Sequence, residues 1–316
     1  MKTLATKILI VVLWLGFMNQ TSGQFTNEFR IGEYIEIFKN DSIKIYFNCT
    51  GKICRKSCAQ FYRLGKNIGY QIEIIFGDKR KPDFQEKQKA AWDLARTSLD
   101  NNLPVVGWEM AVPEYYVVNG YDDQGYYFSG PGGEEAAQPK PWQELGVSEI
   151  GMLELYSIKP VPTTAIETQV RDGLAFALVF NQGAKEWVLP DYLSGQEAYQ
   201  VWIEALQSGQ ASLMGHAYNA AVWEECRRNG VAFLIAAKKQ LNGRLENTFE
   251  GAIQAYRKVA EQLGDITELY PFFENTKQEP VGENPRSRKA AEHLQAAMTA
   301  EVKGQEYLEE LVRELN

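Results

Sequence analysis

LPVVGWEMAVPEYYVVNGYDDQGYYFSGP, residues 103–131, is the stretch whose reading decides the fold. Three short runs of β-branched and aromatic residues follow one another: Val105–Met110, Tyr115–Asn119 and Tyr126–Ser129. Such residues suit a pleated, half-buried surface. The polar, glycine-flanked segment Gly120–Gly125 separates the second and third runs, which predicts a hairpin there.

Working outward, QIEIIF at 71–76 reads as a strand, 77–82 as a polar loop, and Asp83–Leu99 as a helix. Ala91, Leu94, Ala95 and Ser98, with Trp92 and Leu99, give that helix a small and apolar stripe. Ser57 is a candidate N-cap for an earlier helix ending near Gly69, and residues 25–48 alternate like strands. On the C-terminal side, 130–140 is a Gly/Pro-rich loop and EIGMLELYSI at 149–158 a further strand. Lys159-Pro160-Val161-Pro162 is a stiff connector. Beyond it the pattern turns helical, over 164–180, 195–207, 214–229, 231–241, 249–263 and 287–315, with a Pro-broken connection at 268–285. The expected organisation is a leader at 1–24, an α+β domain at 25–160 with an antiparallel sheet and packed helices, and an all-α domain at 161–316.

Of the 316 residues, 45% are hydrophobic and 23% charged, and the net charge is −8. That balance fits a well-packed chain and excludes a basic surface for nucleic acid. GPGG at 130–133 lacks the lysine and following helix of a phosphate loop. Residues 1–24 place Lys2 and Lys7 before the apolar run Ile8–Phe17 and a small-residue exit at Thr21-Ser22-Gly23, the layout of a signal peptide. The run is shorter than the about 20 residues that a membrane span needs. Export to the periplasm or the exterior follows if this leader is real, and a cytoplasmic location otherwise. Cys49, Cys54 and Cys58 lie within ten residues, and Cys226 stands apart. The C-x4-C-x3-C spacing offers three of the four ligands a zinc site takes, so no metal and no cofactor is expected. His216 reads as a structural histidine, because Glu224 lies two helical turns away, about 12 Å of rise. Tyr199, Trp202, Tyr218 and Trp223 read as core anchors.

The strand–helix–strand unit followed by PVVGWEM and PEYYVVNGYDDQGYYFSGP resembles the back half of a papain-like cysteine-peptidase domain. It is similar to the bacteriocin-processing peptidases, and more so to the family typified by the N-terminal domain of butirosin biosynthesis protein H, which adds a helical C-terminal region. YLSGQEAYQVWIEALQSG, GHAYNAAVWEECRRNGVAFL and the helix after ELYPF resemble that region, so the likeness covers residues 60–316. It implies a cysteine at the start of a buried helix, a histidine beginning a later strand, and an Asp or Asn after the next strand. A helix N-terminus and an imidazolium generate the thiolate, and the third group orients the ring.

Here Glu114 stands at the histidine position, and the Asp/Asn position falls at Ser129-Gly130. A carboxylate beside a thiol raises the thiol pKa. Cys58, in SCAQF, is the candidate nucleophile. Alternatively, Leu4–Phe17 is the catalytic helix, truncated before its cysteine. The resemblance with these departures implies a degenerate, non-catalytic member serving as a binding or accessory module for a small polar ligand or peptide. Trp108, Glu109, Glu114, Tyr115, Tyr121 and Asp122 are its expected lining, three carboxylates and three aromatic rings suited to a cationic or polar group. Two alternatives stay open: a cysteine-dependent acyltransferase or peptidase using Cys58 and Glu114, and an exported scaffold protein.

Overall fold

The structure is a computed structural model that describes residues 63–112, 115–130, 138–181, 193–275, 277 and 279–316. The leader, the three clustered cysteines, the 25–48 strands and the Ser57 cap fall outside them. The chain divides into two compact units, the first ending at Thr164 and the second beginning at Ala165. Among the described residues no helix is long and apolar enough to cross a membrane.

The first unit is α+β. A 3-10 turn, Leu64–Ile68, leads into β1 (Tyr70–Asp78). Helix α1 (Phe84–Asp100) follows, then β2 (Val105–Trp108), β3 (Tyr115–Tyr121), β4 (Gly125–Ser129), the two-residue β5 (Lys140–Pro141) and β6 (Met152–Pro160). The six strands form one sheet in the order β1-β6-β2-β3-β4-β5, with antiparallel neighbours throughout.

Two boundaries differ from the sequence reading. The predicted loop at 77–82 starts only after Asp78, because Gly77 and Asp78 continue the ladder opposite Leu153 and Met152. The connector's Lys159 and Pro160 belong to β6, and Pro160 ends that strand, where a missing donor is tolerated.

The apolar stripe of α1 packs on one sheet face. Phe84, Ala91, Trp92 and Ala95 share a core with Val105, Tyr116, Val118, Tyr126, Phe128, Leu153 and Leu155. Ser98 closes that contact with a buried hydrogen bond to Ser157, 2.7 Å long. Strand alternation then assigns the other face. Pairing sets Phe76 opposite Glu154 and Trp108 opposite Tyr115. Gly107 pairs with Leu155, which brings Trp108 beside Glu154. Phe76, Glu154, Trp108 and Tyr115 therefore form one row across the face away from α1, with Ile74, Tyr156, Val106 and Val117 in the next.

The second unit is all helix: α2 (Ile166–Asn181), α3 (Gly195–Gln207), α4 (Leu213–Gln240), α5 (Glu246–Leu269) and α6 (Pro285–Glu314). The sequence suggested two helices meeting at Gly230; the structure has one of 28 residues. A mid-helix glycine costs only about 1 kcal/mol. Burial on both sides of it, by His216, Ala217, Ala220 and Ala221 before and Val231, Phe233, Leu234 and Ala237 after, outweighs that.

Helix α6 starts at Pro285 behind a capping box. Asn284 Oδ1 accepts from the Ser287 amide at 2.9 Å, and the Ser287 hydroxyl accepts from the Asn284 amide at 3.1 Å. Helices α5 and α6 approach through a reciprocal pair of glycines. A Cβ on Gly251 would enter the Tyr307 ring, and one on Gly304 the Tyr256 ring.

Candidate functional site

The face of the sheet away from α1 carries a buried polar group. Glu154 is 3% exposed, between Leu153 and Leu155 on β6. Its Oε2 accepts a hydrogen bond from the Tyr115 hydroxyl at 3.0 Å and another, short one from the Tyr156 hydroxyl. The two hydroxyls lie 3.3 Å apart. Tyr115 stands edge-on to Trp108 with ring centres 5.1 Å apart, and to Tyr156 at 5.8 Å. Trp108, Tyr115 and Tyr156 are all buried. The register explains the grouping: Trp108 pairs with Tyr115, and β6 brings Glu154 alongside. A carboxylate taken out of water must be hydrogen-bonded, and phenol hydroxyls are the donors here.

Glu109 follows Trp108 at the end of β2 and adopts φ 56°. A side chain in this left-handed region costs of order 1–2 kcal/mol. Its carboxylate accepts a 2.6 Å hydrogen bond from the Ser148 hydroxyl, and the residue is 7% exposed. Strain of this kind concentrates at binding and catalytic sites.

Tyr121 and Asp122 sit at the far end of β3, six and seven residues past Tyr115, about 20 Å along the strand. The register with β4 shifts between Val118 and Gly120, and this bulge inverts the alternation. Tyr121 accordingly turns to the α1 side. Its ring stands edge-on to Trp92, with centres 5.6 Å apart, and its hydroxyl donates to Asp100. Asp122 forms the hairpin turn, accepting from the amides of Gln124 at 2.8 Å and Gly125 at 3.1 Å and from the Tyr127 hydroxyl at 2.8 Å. The Gln124 amide, with Tyr127, holds this carboxyl below its usual pKa. Of the lining read from the sequence, the structure thus brings Trp108 and Tyr115 together, sets Glu109 next in the chain, and separates Tyr121 and Asp122 from them. Glu114 and Cys58 lie outside the described residues.

Glu154 and Tyr156 escaped the sequence reading. In LELYSI, a charge between two leucines reads as the solvent side of an alternating strand. The run is buried on both faces from Leu153 to Ile158, and a central strand of that kind shows no usable alternation.

The helical unit holds a second buried carboxylate. Glu301 Oε2 accepts from Arg227 Nε at 2.6 Å and from the Tyr199 hydroxyl at 3.3 Å, and Asn181 donates to Oε1 at 3.3 Å. Burial, followed by the Glu301 charge, pushes the Tyr199 and Tyr256 phenols well above their usual pKa. Burial opposes the Arg227 charge, but Glu301 more than offsets it, so Arg227 remains a cation. Spacing could have revealed this pair: Leu294, Ala297, Glu301, Gly304 and Leu308 fall on one stripe of α6, as do Ala220, Arg227, Val231 and Leu234 on α4.

His216 is buried on α4, and its Nδ1 accepts from the Trp202 indole at 2.9 Å. Cys226 stands ten residues further on, about 15 Å of rise. Tyr199 is buried, Trp202 stands edge-on to His216, Tyr218 contacts Phe272, and Arg227 lies over Trp223. Among the described residues no three His, Cys, Asp or Glu side chains gather as metal ligands would.

The chain matches no protein-family model and no curated protein sequence.

Proposed function

We propose that this protein is a papain-like scaffold that binds rather than cleaves: a binding or accessory module for a small polar ligand or peptide bearing a cationic group. One observation carries the reading. The buried Glu154 carboxylate is set among Trp108, Tyr115 and Tyr156 at the end of β2 and the start of β3. That is the strand start at which the papain-like resemblance expects its proton acceptor and at which this sequence has Glu114. Carboxylate and aromatic rings together are the chemistry that recognises ammonium and guanidinium groups. The exposed Phe76, in the same row of the sheet, adds an apolar surface beside it.

The test uses the full chain with N-acetylated Gly-Lys-Gly and Gly-Glu-Gly as probes, read by melting temperature and tryptophan fluorescence. The lysine peptide is expected to raise Tm saturably and the glutamate peptide not to. Glu154→Gln, which keeps the shape, and Tyr156→Phe are expected to lose the response. Equal responses to the two peptides, or an undiminished response in Glu154→Gln, overturn the binding site. Rapid iodoacetamide labelling of one cysteine at pH 6 overturns the non-catalytic reading instead, since only an activated thiolate reacts so fast there.

A further inference from the structure

We infer that the helical unit holds a site for one small oxyanion, phosphate or carboxylate in character, formed by His216, Tyr270 and Arg286. The tautomer of His216 is fixed by its neighbour. An indole nitrogen can only donate, so the Trp202 bond makes His216 Nδ1 an acceptor and puts the ring proton on Nε2. That Nε2–H is buried and has no hydrogen-bond partner. The Tyr270 hydroxyl is likewise buried and unpartnered, although its residue is only 1% exposed. The two rings touch edge to face with centres 4.5 Å apart. An orphaned buried donor costs about 1–3 kcal/mol, so two in adjoining side chains imply an acceptor that fills both.

Charge selects the kind of acceptor. The Arg286 guanidinium lies 3.8 Å from the Tyr270 ring centre and donates to the Leu269 carbonyl that ends α5. Among the described residues Arg286 forms no ion pair. It is the charged group that acts on His216 and on Tyr270 alike, in both cases after burial. His216 lies in the first turn of α4 and Arg286 in the first turn of α6, so two positive helix ends stand here against the one carbonyl end of α5, whose Leu269 oxygen Arg286 already caps. Arg286 is exposed while the two rings are buried, so the cation stands on the solvent side of the paired donors. Neutral donors, a cation and two helix N-termini have an anion as their complement. The site lies in the helical unit and does not depend on the Glu154 proposal.

Sodium phosphate and sodium acetate, added to the full chain at constant ionic strength against sodium chloride, test it. Phosphate or acetate is expected to raise Tm saturably, change tryptophan fluorescence and move the His216 Hε2 resonance. Arg286→Gln is expected to weaken the apparent affinity roughly tenfold or more, the worth of a charged hydrogen bond. Tyr270→Phe keeps the ring and is expected to weaken it several-fold. Which of the two anions acts more strongly identifies the oxyanion class. A chloride response equal to both others means the donors face water alone and overturns the inference. So does a phosphate response unchanged in both variants.

Discussion

Removing the Glu301 carboxylate should be among the most damaging single changes in the helical unit. Glu301→Ala leaves Arg227, 2.6 Å away and mostly buried, as an uncompensated cation. At the effective dielectric that suits such sites, a pair at about 4 Å is worth about 4 kcal/mol. The Tyr199 hydroxyl and the Asn181 amide lose their acceptor as well. Entry of water recovers part of this, and breaking buried pairs by truncating one partner typically costs 3–5 kcal/mol. We expect about 4 kcal/mol, a large share of the 5–15 kcal/mol that a domain has. Glu301→Gln retains an acceptor and should cost less. The double change Arg227→Met with Glu301→Leu should cost less than Glu301→Ala, since apolar replacements of buried pairs are often neutral. Urea unfolding of the full chain, followed at 222 nm and by tryptophan fluorescence, measures the wild type and the three variants. Added salt should change the wild-type value little, because the pair is shielded from solvent. A Glu301→Ala loss below about 1 kcal/mol, or a double variant as damaged as Glu301→Ala, refutes the reasoning.

Stability should also fall with acid through His216. Burial, followed by the Arg286 charge, pushes its imidazole down to about 4, against 6.5 in the unfolded chain. Both states are neutral above pH 6.5; between 6.5 and 4 only the unfolded chain gains the proton, so folding weakens by up to roughly 3 kcal/mol. His216→Gln should flatten that slope, and an identical pH profile in the variant counts against the assignment. Two glycines of the β3–β4 hairpin should behave oppositely. A Cβ on Gly125 would run into the Lys140 carbonyl of β5, whereas one on Gly120 meets nothing within 4 Å. Gly125→Ala should cost about 1–3 kcal/mol or release β5, while Gly120→Ala stays within about 1 kcal/mol by urea unfolding. Equal costs would show that the close approach is not the reason for Gly125.

Much of the fold was legible because local pattern and tertiary burial agree. The α1 stripe, the hairpin of β3 and β4, and α3 at Gly195–Gln207 follow from periodicity and turn residues. Disagreement appears where burial overrides local preference. Gly230 reads as a break and is carried through by packing on both sides. The bulge at Asn119 leaves no mark in YYVVNGY, yet it sends Tyr121 to the opposite face from Tyr115 and divides the expected lining. Among the described residues of that lining, Trp108 and Tyr115 group together, because they pair directly across β2 and β3. Glu154 was hidden by the assumption that a charge in a strand faces water.

The two buried carboxylates invite a comparison. Glu301 is held by a cation of its own chain, Arg227, together with Tyr199 and Asn181, so its local polar network is closed by structural partners. Such a network fixes the relative positions of α2, α3, α4 and α6, and its loss is expected to appear as lost stability. Among the described residues Glu154 is held by phenol hydroxyls, in a row with Phe76, Trp108 and Tyr115 on a sheet that α1 supports from the other side. Replacing it by an apolar residue would strip the buried Tyr115 and Tyr156 hydroxyls of this acceptor, whereas Glu154→Gln keeps an acceptor oxygen and removes only the charge. Glu154→Gln should therefore change binding of a cationic probe far more than it changes the melting temperature of the free protein. For Glu301→Gln the ranking should be reversed. If both variants lose stability alike and neither alters probe binding, the two carboxylates serve the same structural end and the functional distinction between them fails.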